Sequence, residues 1–283
     1  MKKWFLISGY LIVVTLFFLY YLFPSQAIIS YVNSRFSEAM PGFHITIAQI
    51  KPGFPPCLKL SAPVLYRQDK ELIGAELIKI KPRYTKLFSP LKSFAFSGSL
   101  YNGYIDGSAD IEASQSTVTV SLLLDNIAVG KIPLLTQVIP HTLNGNASGR
   151  IEYNNKPPFG AGKAEIAMSG CQIEFKPSLF GMEQLKLDIV DAGIEMDNNQ
   201  VKITKFEAKG SDLSGKVSGS VSLRNPFEQS NMNISGRVTP KPTLLKDLAG
   251  ILPLESIGQK NIGSEGIPFQ ISGTFENPSF SMK

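Results

Sequence analysis

The apolar positions of this chain follow three successive rhythms, and each change of rhythm marks a boundary. From Trp4 to Phe23 twenty consecutive residues carry no charge, with Lys2 and Lys3 before them and Pro24 after. A helix needs about 20 mainly apolar residues to cross a hydrocarbon core of roughly 30 Å, and it satisfies its own backbone hydrogen bonds on the way. Residues 1–24 are therefore expected to form a transmembrane anchor. The two lysines keep the N-terminus cytoplasmic and send the rest of the chain across the membrane. A cleaved signal peptide is the competing reading, with Ser25-Gln26-Ala27 at the cleavage position. Signal peptides carry apolar cores of about 7–15 residues, shorter than this run, and either reading exports the remainder of the chain.

Across residues 25–42 the rhythm becomes helical. Ile28, Ile29, Val32, Phe36 and Met40 recur with Ser30, Asn33, Arg35 and Glu38 between them, which predicts an amphipathic linker helix. Its apolar stripe suits either a membrane surface or the edge of the sheet beyond it. Pro41-Gly42 ends it.

From Phe43 onward the period is two. Phe43, Ile45 and Ile47 alternate with polar residues, as do Val118, Val120, Leu122 and Leu124; Leu185, Leu187 and Ile189; Val217, Val221 and Leu223; Met232, Ile234 and Val238; and Ile267, Phe269, Ile271 and Phe275. The intervening positions are small or polar, such as Lys216, Ser218, Ser220 and Ser222, or Asn231, Asn233, Ser235 and Arg237. Alternation of this one-sided kind predicts antiparallel sheet with one face hidden and one wet. Asn102-Gly103, Asp106-Gly107, Asn144-Gly145, Asn198-Asn199 and Asn225-Pro226 read as turns, so residues 43–283 are expected to form a β domain of hairpins or a meander. Asn102-Gly103 is the sharpest of them.

Only two later segments read as helical, Pro133 to Ile139 and the stretch from Leu244 to Leu252. They are too short to cover a long sheet. Its apolar face must then be buried by curling, by a second sheet, or by a ligand or membrane. A weak internal repeat adds to the picture: Leu143, Gly145, Ser148, Gly149, Ile151 and Tyr153 match Leu213, Gly215, Ser218, Gly219, Val221 and Leu223 at an offset of seventy residues, within 143–157 and 213–226.

Charge and chemistry narrow the function classes. A net charge of +5 over 283 residues, with its lysines and arginines scattered, argues against nucleic acid as a partner. Cys57 and Cys171 are the two cysteines, and an oxidising compartment would allow them to pair or to stay free. His44 and His141 each lack a second ligand or a nucleophile at useful spacing, and no nucleophile elbow, phosphate loop or metal-spaced cysteine and histidine set occurs. The acidic group Asp188, Asp191, Glu195 and Asp197 lacks the dense oxygen loop of a calcium site. No catalytic residue, cofactor site or metal site is expected, and the chain reads as a non-enzyme.

Several segments together resemble the GspN family of type II secretion proteins, whose periplasmic region is similar to the AsmA-type domain. They are Leu213 to Asn225, Ser230 to Pro240, Ile271 to Pro278, and Ile132 to Gly149. The resemblance covers nearly the whole chain, but its motifs are small and structural. It implies a mainly β fold, an elongated, curved antiparallel sheet or sandwich forming an AsmA-like groove with a few short helices behind one transmembrane helix. It also implies a single-pass bacterial inner-membrane protein with a periplasmic domain. Two functions follow from it. One is an accessory of the type II protein secretion system acting by contact with other secretion components. The other is a lipid-binding or lipid-transfer groove taking phospholipid, in which Val118, Val120, Leu122, Val217, Val221, Ile234, Phe269 and Ile271 line the inside. Ordinary core packing is the competing role for each of those eight residues.

Overall fold

The computed structural model describes residues 2–86, 89–112, 117–139, 141–155, 160–179, 182–242, 244 and 266–282. The uncharged run folds as α1 (Lys2–Tyr21), and the amphipathic stretch as α2 (Ser25–Ala39). Among the described residues no helix is long and apolar enough to cross a membrane. The side chains of Phe5, Leu6, Ile12, Leu16 and Leu19 in α1 lie outside that description, so a membrane span for α1 rests on the sequence alone. Ile28, Ile29, Val32 and Phe36 of α2 are half-buried, and the Ser25 hydroxyl accepts the backbone N–H of Ile50 at 3.2 Å. Of its two possible roles, α2 takes that of a cover on the sheet edge.

Strands follow almost without interruption: β1 (Phe43–Thr46), β2 (Gln49–Gly53), β3 (Cys57–Ser61), β4 (Val64–Arg67), β5 (Lys70–Gly74), β6 (Leu77–Pro82), β7 (Leu91–Leu100), β8 (Gly103–Glu112) and β9 (Thr117–Ala128). After the short helix α3 (Pro133–Val138) come β10 (Thr142–Asn154), β11 (Ala161–Leu179), β12 (Met182–Asp197), β13 (Gln200–Lys209), β14 (Leu213–Ser222), β15 (Asn231–Pro240), β16 (Ile267–Thr274) and β17 (Pro278–Met282). The protein is mainly β. Fourteen strands make one antiparallel sheet in the order β2-β3-β6-β7 and then consecutively to β17, while β1, β4 and β5 form a separate three-stranded sheet. Strand β5 receives α3, whose Gln137 side-chain amide donates to the Glu71 carbonyl at 2.6 Å.

Several expected turns are corrected. The β7–β8 hairpin turns at Tyr101 and Asn102, both at positive φ (48° and 65°), and Gly103 already pairs with Leu100. The Tyr101 hydroxyl accepts the Gly74 N–H at 2.6 Å, which holds this unusual tyrosine conformation in place. Asp106-Gly107 is no turn at all but the middle of β8, and Asn144-Gly145 is a bulge within β10, where the register shifts against β11. In each case a glycine that suggests a turn serves a strand instead. Ile189 is a further correction, since it is 52% exposed while Leu187 and Val190 are buried. The ladder between β11 and β12 skips Gly170, at φ +59°, and its opposite Asp188, so strict alternation fails there. The two halves of the sequence repeat fall on β10 and β14, but positive φ occurs at the first glycine of one (Gly145) and the second of the other (Gly219). Of the second expected helix only Leu244 is described, and it is buried; the rest lies outside the described residues.

Cys57 and Cys171 are both buried and unpaired, on strands six positions apart in the sheet. A disulfide requires Cα atoms within about 7 Å. Burial also pushes the Cys171 thiol above its ordinary range, which lowers its thiolate fraction at any given pH. Two free thiols should therefore be counted in denaturant, with Cys171 reacting much more slowly than a free cysteine in the native protein. An intact mass two hydrogens short, with no thiol released on unfolding, would refute this.

Candidate functional site

Directly opposed residues of an antiparallel pair lie on the same side of a sheet, so the ladder registers follow one face from edge to edge. Starting at Pro52 of β2, the partners run Leu58, Ile80, Phe96, Gly107, Leu122 and Ile151 through β10. They continue as Ala164, Ile194, Ile203, Gly219, Ile234, Ile271 and finally Phe280 of β17. This row takes one residue from every strand of the fourteen, and none of them carries a polar side chain. At about 4.8 Å between strands the row spans roughly 60 Å of sheet.

A parallel row on one side runs Pro82, Phe94, Ala109, Val120, Tyr153, Gly162, Met196, Val201, Val221, Met232. On the other side Leu124, Gly149, Ile166, Ala192 and Phe206 follow one another, and further along Val217, Gly236 and Phe269. All eight residues singled out as candidate lining, Val118, Val120, Leu122, Val217, Val221, Ile234, Phe269 and Ile271, therefore share this face. None of the eight is fully buried. The sequence alternation did not reveal Leu58, Ile80, Phe96, Ile151, Ile194 and Ile203 as members of the same row.

Burial grades across the width of the face. The margin row Ile127, Ala147, Met168, Val190 and Ala208 holds four of the few buried apolar residues among those described, at 3–6% exposure. Near it Leu100, Ile105 and Ile127 pack with Phe96, Leu122, Leu124 and Ile132, at the side where α3 begins. The three rows beyond are mostly half-exposed. A closed core would hide such residues almost completely. Among the described residues the face is thus walled along one margin and open over the rest.

Its floor is smoothed by glycine. A Cβ on Gly107 would lie 2.6 Å from the Phe96 ring, and one on Gly236 would lie 2.6 Å from the Phe269 ring. Each ring rests over a glycine of the neighbouring strand, presenting a flat surface. At the first strands, Pro52, Leu58, Ile80, Pro82 and Phe94 join Tyr20 and Phe23, at the end of α1, around a pocket of about 610 Å³. Strands β13–β16 hold a larger open depression of about 760 Å³, lined from both faces, with Phe206, Val217 and Phe269 beside Lys205, Lys216 and Arg237.

The opposite face is polar and cross-paired. Lys163 contacts Glu165 at 3.0 Å, Lys205 contacts Asp191 at 3.1 Å and Lys216 contacts Glu207 at 2.9 Å. Hydrogen bonds from Lys163 and Lys216 hold Glu165 and Glu207 below the usual glutamate range. Of the acidic group of β12, Asp191 pairs with Lys205 and Glu195 lies 3.9 Å from Lys163, and among the described residues no three His, Cys, Asp or Glu side chains are placed to hold a metal ion. His44 stacks on Tyr66 at 4.9 Å, and His141 meets the Phe175 ring edge-on at 5.3 Å. Both are packing residues.

Comparison with known protein families, curated proteins and solved structures finds no match for this chain. Its site is described by its own geometry.

Replacing Gly107 by valine should press a Cβ against both the Ser121 carbonyl and the Phe96 ring and cost about 1–3 kcal/mol of stability, read as a lowered denaturation midpoint with an unchanged m-value. Truncating Phe96 as well, in F96A/G107V, should make the glycine substitution cost less than it does beside the intact ring. An equal cost with and without the ring would contradict the contact.

Proposed function

We propose that the protein is a membrane-anchored lipid-handling protein whose apolar face holds the acyl chains of phospholipids. The observation that carries this reading is the half-exposed row of fourteen apolar residues, unbroken from Pro52 to Phe280. A surface of this kind that is left in water carries a free-energy cost of about 25 cal/mol per Å². Something apolar therefore occupies it. The row offers no hydrogen-bond donor or acceptor side chain, whereas protein partners are usually held by arginine, tyrosine and tryptophan anchors beside satisfied polar groups. Hydrocarbon chains need neither. Strand twist of about 20–25° per step turns so wide a sheet into a coiled ribbon, and the apolar face becomes the inside of an elongated trough.

The uncharged run of α1 supplies the membrane anchor in this account, and the flanking lysines set its orientation, with the β domain on the periplasmic side of a bacterial inner membrane. A role as an accessory of type II secretion rests on the family resemblance alone. The apolar row favours lipid over secretion components as the primary partner.

Full-length protein purified from membranes in mild detergent should carry phospholipid detectable by mass spectrometry. Changing Val120 and Val221 together to Asp places charges in the half-exposed row next to the central one. That variant should keep its circular dichroism spectrum and lose at least tenfold of the bound lipid. Equal lipid on both folded proteins would sink the reading.

A further inference from the structure

The β2–β3 hairpin is built unlike the others. Its tip is Phe54-Pro55-Pro56, and Phe54 is 94% exposed, the most exposed large apolar side chain among the described residues. Water gives no reason for a phenylalanine to stand free at a hairpin tip. The tip is also held: the Tyr84 hydroxyl donates to the Pro56 carbonyl at 2.6 Å, and a side chain on Gly53 would collide with the Cys57 sulfur. Behind it lies the 610 Å³ pocket that the tip shares with Tyr20 and Phe23.

A second observation concerns charge. Residues 49–61 and 77–86, which supply β2, β3 and β6, contain six basic residues and no acidic one. Lys51, Lys59 and Lys79 stand directly opposite one another across three strands, on the face away from the pocket. Like charges so placed repel. Elsewhere on the polar face lysines meet carboxylates, as Lys163 does Glu165 and Lys216 does Glu207. The first strands thus concentrate positive charge in the row Lys51, Lys59 and Lys79 beside an exposed aromatic tip, a combination that fits an anionic lipid surface.

We propose that the β2–β3 hairpin docks on an anionic phospholipid bilayer, with Phe54 inserted among the lipids and the lysine row against their headgroups, so that the pocket beside Tyr20 and Phe23 opens where an acyl chain leaves the membrane. The inference rests on the lipid-trough reading and adds its point of loading. The fourteen-residue row starts in this pocket, at Pro52 and Leu58, so a chain that enters there meets the trough without crossing a polar surface.

Trp4 is the only tryptophan, so a full-length W4F/F54W variant reports on the tip alone. In nanodiscs of phosphatidylglycerol and phosphatidylethanolamine, the introduced indole should emit at a blue-shifted wavelength and be quenched several-fold by lipids brominated in the acyl chain. Adding K51Q, K59Q and K79Q should weaken the quenching, as should replacing phosphatidylglycerol by phosphatidylcholine. Water-like emission indifferent to brominated lipid would overturn the docking. If phospholipid still co-purifies with such an unquenched protein, the loading point alone has failed and the trough stands. A quenched tip on a protein that holds no lipid supports the docking and removes the trough.

Discussion

Everything in this molecule depends on the phase of the strand ladder. Successive residues of a strand point to opposite sides, so one slipped pairing would turn every later side chain to the wrong face. Fourteen strands hold the phase because each irregularity is absorbed where it arises. Between β9 and β10, the two residues between Leu124 and Ile127 oppose the one between Gly149 and Ala147, and Asn126 takes up the extra length at φ 54°. Ile127 is thereby returned to the apolar side beside Ala147. A comparable adjustment at Gly193 keeps Ile194 and Ile203 opposed on that side. The charges reinforce the choice from behind. Glu152, Lys163, Glu195 and Lys202 are direct partners across four strands, and a one-residue slip would drive them into the apolar rows.

An antiparallel sheet of this width carries a problem along with its order. Among the described residues α2 packs against β1 and β2, and α3 against β5 and β10, at one edge and one corner. The buried side chains accordingly collect along one margin instead of filling a central core. The half-exposed rows beyond that margin form the feature for which the described residues provide no cover, and from that gap the lipid reading is drawn.

Much of the architecture was legible in the chain. The period-two alternation at Val118 to Leu124 and at Met232 to Val238 gave both the strands and the side each residue faces, because one polar and one apolar face leave a clean signal. Turn chemistry misled at Gly107 and Gly145, since glycine is demanded equally by a tight turn and by an aromatic ring or bulge in a neighbouring strand. The broken alternation around Ile189 could not be read from its own strand, because a ladder interruption at Gly170 is a property of two strands together. Nor could periodicity distinguish a half-exposed sheet face from a packed one: both alternate identically along the strand, and only the half-burial of Leu122 or Ile234 separates them. The row from Pro52 to Phe280 was invisible for the same reason, being a product of fourteen registers.

The most direct test of the trough is photo-crosslinking in living cells, with a photoreactive phenylalanine placed at single positions of the full-length protein. Leu58, Leu122, Ile194 and Ile271 lie on the continuous row; Ser121, Lys163 and Ser220 are on the reverse face of the same strands or their neighbours. A lipid-filled trough predicts phospholipid adducts at all four row positions, from the first strands to the last, and none at the three reverse positions. Protein adducts without lipid along the row, or lipid captured equally on both faces, would contradict it.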